Sequence, residues 1–205
     1  MRRRWFLAGG LAAASCRRRR GAGFPGYAFV ANEDGQAVAV VDLTAFAVAR
    51  HIRLAGSPTA VIAHPSRHAV YALTPENGAV HELSSSSLSF ARKLVCCSSA
   101  VSIRLSGEDL WVLSREPRQL IRLGAGELRV RARIPLPEEP GDFDISRDGA
   151  AAAVSFGGGK FIAAVDLEAG ALLWRAPLEG QPGTVRFQSD ARNVLAADTG
   201  NRRLS

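Results

Sequence analysis

From Tyr27 onward the chain reads as short apolar runs, four to eight residues long, parted by clusters of Gly, Pro, Ser, Asn and Asp. One stretch shows the rhythm: apolar runs at 60–63, 69–73, 79–83 and 88–95 are separated by HPSRH, TPENG and SSSS. Runs of that length, rich in Val, Ile, Phe and Tyr and bounded by turn residues, predict β-strands. After residue 16, no window of ten residues carries the three-and-four apolar spacing of a helix. An all-β chain of antiparallel hairpins is expected.

The runs recur with a period. GSPTAVIAHPSRHAVYAL, CSSAVSIRLSGEDLWVL, EPGDFDISRDGAAAAVS and QPGTVRFQSDARNVLAA align on Pro58, Ser99, Pro140 and Pro182, spaced by 41, 41 and 42 residues. A second landmark, in VVDLTAF, HELSSSS, IRLGAGE and AVDLEAG, falls on Asp42, Glu82, Arg122 and Asp166, spaced by 40, 40 and 44. Four strands in about 40–45 residues is the spacing of a β-propeller blade.

The stretch YAFVANEDGQAVAVVDL at 27–43, with ISRDGAAAAVS at 145–155 and FIAAVDLEAG at 161–170, resembles the YVTN-type β-propellers, relatives of seven-bladed surface-layer and lactonase-like propellers. The third repeat departs from that pattern, with Arg122 in place of an acid and REPRQ in place of the asparagine loop. The resemblance covers residues 24–200 and implies four-stranded antiparallel blades, about four of them in an incomplete ring. It carries fold and not function. Seventeen strands are expected, the last ending near Ala197, so that the sequence stops inside a blade and reads as a piece of a longer propeller.

Within the repeats, Asp42 and Asp166 are expected to accept backbone N–H groups at strand ends. Gly35 and Gly149 are expected at hairpin positions with positive φ. Val38, Val40, Phe161 and Ala163 should face neighbouring blades.

Charge changes the picture only at the N-terminus. The formal balance is +7, from 26 basic and 19 acidic side chains. Seven of the arginines (Arg2 to Arg4 and Arg17 to Arg20) lie in the first 20 residues, and without them basic and acidic residues are equal in number. A folded part without a basic excess argues against nucleic acid as the partner. The apolar run 5–15 is shorter than the ~20 residues that span a bilayer. A basic start, short apolar centre and small residues make an export signal. Arg3-Arg4-Trp5-Phe6-Leu7 resembles the twin-arginine motif, and Ala13-Ala14-Ser15-Cys16 resembles a bacterial lipobox with Cys16 as the lipidated residue. The expected organisation is an export signal over 1–16, a basic linker over 17–23 and a partial propeller over 24–205. The expected location is the periplasm or cell envelope, with a membrane contact through a lipid at Cys16 that Arg17 to Arg20 would reinforce.

Candidate chemistry is sparse. Cys96 and Cys97 are adjacent, which makes neither a disulfide framework nor a metal site; one is expected to pack as a small apolar residue. His64 and His68 bracket a turn with no third ligand in view and read as surface histidines. No C-x-x-C-H motif is present and GGGK at 157–160 lacks phosphate-loop spacing, so no cofactor is expected. Asp142 and Asp144 alternate along the strand expected to line the channel, where two carboxylates would bind a cation or share a proton. Arg104 and Arg186 hold comparable positions in the adjacent repeats. An exported binding or interaction scaffold for a protein or small-molecule ligand is the expected function. A lactonase-like hydrolase, or a metal- or cofactor-binding propeller, is the alternative; either would need ligands converging from several blades.

Overall fold

The computed structural model describes residues 24–188, 193–199 and 203–204. The export signal with Cys16 and the basic linker lie outside the described residues.

The described chain is all-β, built as five antiparallel meanders in sequence order. The first sheet holds β1 (Tyr27–Asn32), β2 (Ala37–Asp42) and β3 (Ala47–Arg53). The second holds β4 (Ala60–Ala63), β5 (Ala69–Thr74), β6 (Ala79–Ser84) and β7 (Ser89–Val95), with one 3-10 turn, Pro75–Asn77, between β5 and β6. The third holds β8 (Ser99–Ser106), β9 (Asp109–Glu116), β10 (Gln119–Gly124) and β11 (Arg129–Pro135). The fourth holds β12 (Asp142–Ile145), β13 (Ala151–Phe156), β14 (Phe161–Asp166) and β15 (Leu172–Pro177). The fifth holds β16 (Pro182–Phe187), β17 (Val194–Asp198) and β18 (Arg203–Leu204). That last strand exceeds the sequence expectation; it pairs Leu204 with Ala197 and Arg203 with Asp198.

Burial is graded across each four-stranded sheet. The middle strands β5, β9 and β13 are buried almost throughout, whereas the fourth strands β7, β11 and β15 are mostly exposed. Strand alternation divides the buried side chains between two faces. Tyr71 and Leu73 pack with Ile103, Val112 and Ile121 of the third sheet, while Val70 and Ala72 pack with Val38, Val40 and Ile52 of the first. Trp111 and Leu113 turn the other way, onto Phe143, Val154, Phe156, Phe161 and Ala163 of the fourth sheet. The inward placement of Val38, Val40, Phe161 and Ala163 matches the sequence expectation. Each sheet thus shares a core with its successor, and the first strands β1, β4, β8, β12 and β16 touch in series.

Polar ties cross the same seams. Tyr71 Oη donates to Ala125 O at 2.8 Å, joining the second and third sheets inside their core. Burial, with Glu82 nearby, pushes the Tyr71 phenol up to about 12. Arg50 Nη1 donates to Leu88 O at 3.1 Å, and Arg92 Nη1 to Glu127 O at 2.9 Å, so an outer-strand arginine caps a turn of the next sheet at two seams.

The turns show why these strands end where they do. Asp42 Oδ1 accepts from Thr44 N and Ala45 N, and Asp166 Oδ1 accepts from Glu168 N and Ala169 N, as expected. The fourth residue after each aspartate, Phe46 or Gly170, is left-handed, and Leu88 and Leu128 repeat this after Ser84 and Gly124. The equivalent turn anchors in the second and third sheets are therefore Ser84 and Gly124, two residues beyond the expected Glu82 and Arg122. Ser84 Oγ accepts from Ser87 N at 3.2 Å, and at Gly124 a Cβ would stand 2.3 Å from Glu127 Oε2.

Gly149 has the expected positive φ of +73°, but in the first hairpin the left-handed residue is Gln36, not Gly35. Gly35 instead approaches the Asn32 side chain: its N–H donates to Asn32 Oδ1 at 3.0 Å, and a Cβ would fall 2.6 Å from Asn32 Nδ2, so that amide would have to shift.

Candidate functional site

Two constellations concentrate charge where sheets meet. The first contains Asp142 and Asp144. Their alternation on β12 points both carboxylates along one face, with Phe143 buried between them on the other. Arg104 of β8 donates from Nη2 to Asp142 Oδ1 at 3.3 Å, and its Nε lies 3.8 Å from Asp144 Oδ1. Arg186 of β16 donates from Nη1 to Asp142 Oδ2 at 2.6 Å. Two backbone groups of β16 complete the set: Val185 N donates to Asp142 Oδ2 at 3.3 Å and Phe187 N to Asp144 Oδ2 at 2.9 Å. The Arg104 guanidinium also lies 5.5 Å from the Phe143 ring centre.

All four carboxylate oxygens are therefore engaged, by two guanidinium groups and two N–H donors. A cation at Asp142 and Asp144 would have to displace both arginines. Among the described residues no group of three His, Cys, Asp or Glu side chains gathers in a metal-binding arrangement. The cluster ties together the first strands of three successive sheets. Ser155 extends the tie, accepting from Asp142 N at 2.9 Å and donating to Gly183 O at 2.6 Å.

The second constellation surrounds a cleft of about 910 Å³ between the third and fourth sheets. Three turns form its rim: 106–108 after β8, 147–149 after β12 and 167–169 after β14. Trp111 and Arg122 line its wall, the guanidinium 5.7 Å from the indole centre. Arg122 donates from Nε and Nη2 to Asp109 Oδ2, at 2.9 and 2.6 Å, and Arg131 donates to Asp109 Oδ1 at 2.9 Å. The arginine standing where the repeat pattern carries an acid is thus the partner of Asp109. The sequence reading missed this network, although Asp109, diagonal to Arg122 across the β9–β10 hairpin and two residues from its partner Trp111, was its available signal.

Around the rim, most charges already have partners. Glu108 accepts from Arg67 of the preceding sheet at 2.9 Å. Asp148 accepts from Ser146 Oγ at 2.6 Å and from Ala150 N at 3.1 Å, and these donors hold its carboxyl below the usual range. Asp166 caps its own turn. Arg147 and Glu168 differ: both are exposed, and their side chains make no hydrogen bond or ion pair among the described residues. They are the two rim charges open to a ligand.

The histidines do not converge. His68 is exposed, but His64 is buried rather than on the surface. Its turn lies against the third sheet, with Nδ1 accepting from Ser66 N at 3.3 Å and Nε2 standing 3.6 Å from Glu108 Oε1. His81 is buried beside Thr74 Oγ1 at 3.1 Å, and burial, with Lys93 adding to it, lowers its pKa. Gly157 to Lys160 form the turn between β13 and β14, with Lys160 N donating to Gly157 O.

Comparison of the chain with protein-family models gives no match, and comparison with curated proteins gives none either.

Proposed function

We propose that the chain folds as an exported β-propeller, of the kind the YVTN-type proteins exemplify, that works as a binding scaffold for a protein or small-molecule ligand. Support for the propeller comes from meanders that follow one another in sequence, share cores pairwise and bring their first strands together. Support for export comes from the twin-arginine-like start and the lipobox-like segment ending at Cys16, which would tether the scaffold to a membrane.

One observation carries the binding role: the open cleft between the third and fourth sheets, with a Trp111–Arg122 wall and the unpaired charges Arg147 and Glu168 at its mouth. A large cleft with a few convergent polar groups is the default place for a ligand. With its other acids already engaged by arginines or local donors, the open pair Arg147 and Glu168 favours a ligand that carries both an anionic and a cationic group. The hydrolase alternative gains no support from Asp142 and Asp144, whose oxygens are taken up by arginines and backbone donors.

The test is crosslinking in place. A photoreactive residue at position 168, in protein expressed in its own envelope, should give one discrete adduct that the charge reversal Arg147→Glu abolishes. Equal adducts with and without that reversal would show that the cleft is not the binding surface.

A further inference from the structure

Cys96 and Cys97 occupy the connection between β7 and β8, held on three sides. Cys96 N donates to Gly78 O at 2.9 Å, Ser98 N donates to Glu116 O at 2.9 Å, and Arg133 Nη2 of β11 donates to Cys96 O at 3.0 Å. Cys96 is buried and Cys97 is partly exposed; both are free thiols. Both sulfurs lie toward the same acceptor, Gly78 O, at 3.3 and 4.0 Å, and the two thiols of these adjacent residues interact. Gly78 is left-handed, and a Cβ there would come 2.7 Å from Cys97 Sγ. The missing side chain leaves room for that sulfur.

The surroundings of the two sulfurs differ. Cys97 stands next to the Cys96 thiol, with the positive Arg133 of β11 close by, whereas the Ser114 hydroxyl of β9 donates to Pro117 O at 2.6 Å. The neighbouring Cys96 thiol, with Arg133 adding to it, brings Cys97 down to about 7 against the pull of burial. Cys96 moves the opposite way, because its proton serves its neighbour and burial opposes its ionisation. The Cys96 thiol has one proton and two acceptors, Gly78 O and the Cys97 sulfur, and ionisation of Cys97 draws it to the latter.

We propose that Cys96 and Cys97 form a redox-active dithiol that reacts with small-molecule disulfides, with Cys97 as the attacking thiolate and Cys96 as the resolving thiol. The Cys97 thiolate attacks one sulfur of the disulfide, forming a mixed disulfide and expelling one thiolate. Cys96 then attacks Cys97 Sγ and gives its proton to the second departing thiolate. Two electrons pass from the cysteine pair to the external disulfide, which leaves as two thiols, and a bond forms between the neighbouring sulfurs. Closure withdraws both S–H donors from Gly78 O at the seam between the second and third sheets.

The kinetic advantage follows from ionisation. A lowered pKa raises the thiolate fraction of Cys97 at pH 7, and that gain exceeds the nucleophilicity lost with lower basicity.

The experiment incubates the reduced chain, carrying Cys16→Ser throughout so that Cys96 and Cys97 are its only cysteines, with oxidised glutathione and follows intact mass. The unsubstituted chain should lose two hydrogens and retain no glutathione. Cys96→Ser, which keeps a hydroxyl donor beside Cys97, should trap one glutathione faster than free cysteine does at pH 7, with a rate midpoint below that of free cysteine. Cys97→Ser should remain unmodified over the same time. Cys96→Ala, which leaves no polar atom in the buried position, repeats the trap with a different side chain. Equal rates for Cys96→Ser and Cys97→Ser, or a mixed disulfide persisting on the unsubstituted chain, would overturn the assignment.

Discussion

Replacing Asp142 with asparagine separates a structural clamp from a site held open for a cation. In the folded chain Oδ1 accepts from Arg104, while Oδ2 accepts from Arg186 and Val185 N. Asparagine keeps one acceptor oxygen and presents an NH2 group to whichever donors remain, so at least one charged hydrogen bond is lost and two donors confront each other. The Asp142 side chain is 15% exposed and Arg186 47%, which places the interaction between a surface pair and a buried one. A hydrogen bond to a charged group contributes about 1.5–3 kcal/mol, so Asp142→Asn should cost about 2 kcal/mol. In a domain of this size that lowers Tm by roughly 4–8 °C. The assay is thermal unfolding followed by circular dichroism, at low salt and at 1 M NaCl. High salt should shrink the difference without erasing it, because it screens the exposed Arg186 more than Arg104 or the Val185 amide. An unchanged or raised Tm would refute the clamp, because relief on neutralising one carboxylate means that Asp142 and Asp144 repel each other in the fold.

Three further outcomes follow from groups elsewhere. Tyr71→Phe should cost about 1–3 kcal/mol in urea unfolding, because it strands the buried Ala125 carbonyl between the second and third sheets. Gly78→Ala should cost about 2 kcal/mol or more, since φ is +56° and the new Cβ would meet Cys97 O at 2.1 Å; an unchanged urea midpoint would contradict that packing. The buried His81 has a folded pKa below its unfolded 6.5, so it is neutral in both states above that value and resists protonation only in the fold. Stability should therefore decline as pH falls from about 6.5 through the folded pKa, and His81→Leu should remove that part of the slope; an identical pH profile for the two proteins would exclude His81 as its source.

Much of the fold was legible because strand cores announce themselves. The runs at 60–63, 69–73 and 79–83 became β4, β5 and β6 with at most one added residue, since Val, Ile, Tyr and Leu bounded by Pro, Ser and Asn leave few alternatives. Asp42 and Asp166 were legible for a local reason, their carboxylates serving amides two and three residues ahead. The turn anchors of the second and third sheets were not: Ser84 and Gly124 carry little signal, and the charged Glu82 and Arg122 nearby drew the alignment by two residues. In the site, residue positions on β8, β12 and β16 brought Asp142, Asp144, Arg104 and Arg186 into one view. How completely the arginines and β16 amides occupy the carboxylates depends on the seam between sheets, which no periodicity reports. The burial of His64 is of the same kind, its turn lying against the next sheet with Glu108 3.6 Å from its Nε2. The cleft escaped notice because its three turns come from segments far apart in sequence and meet only when the sheets pack.

The proposed export with lipidation at Cys16 would decide where the chain meets a ligand, and intact mass of the native protein recovered from the membrane fraction tests that proposal most directly. A mass that fits cleavage before Cys16 with added acyl chains is the expected result. An unprocessed N-terminus in the soluble fraction would contradict it.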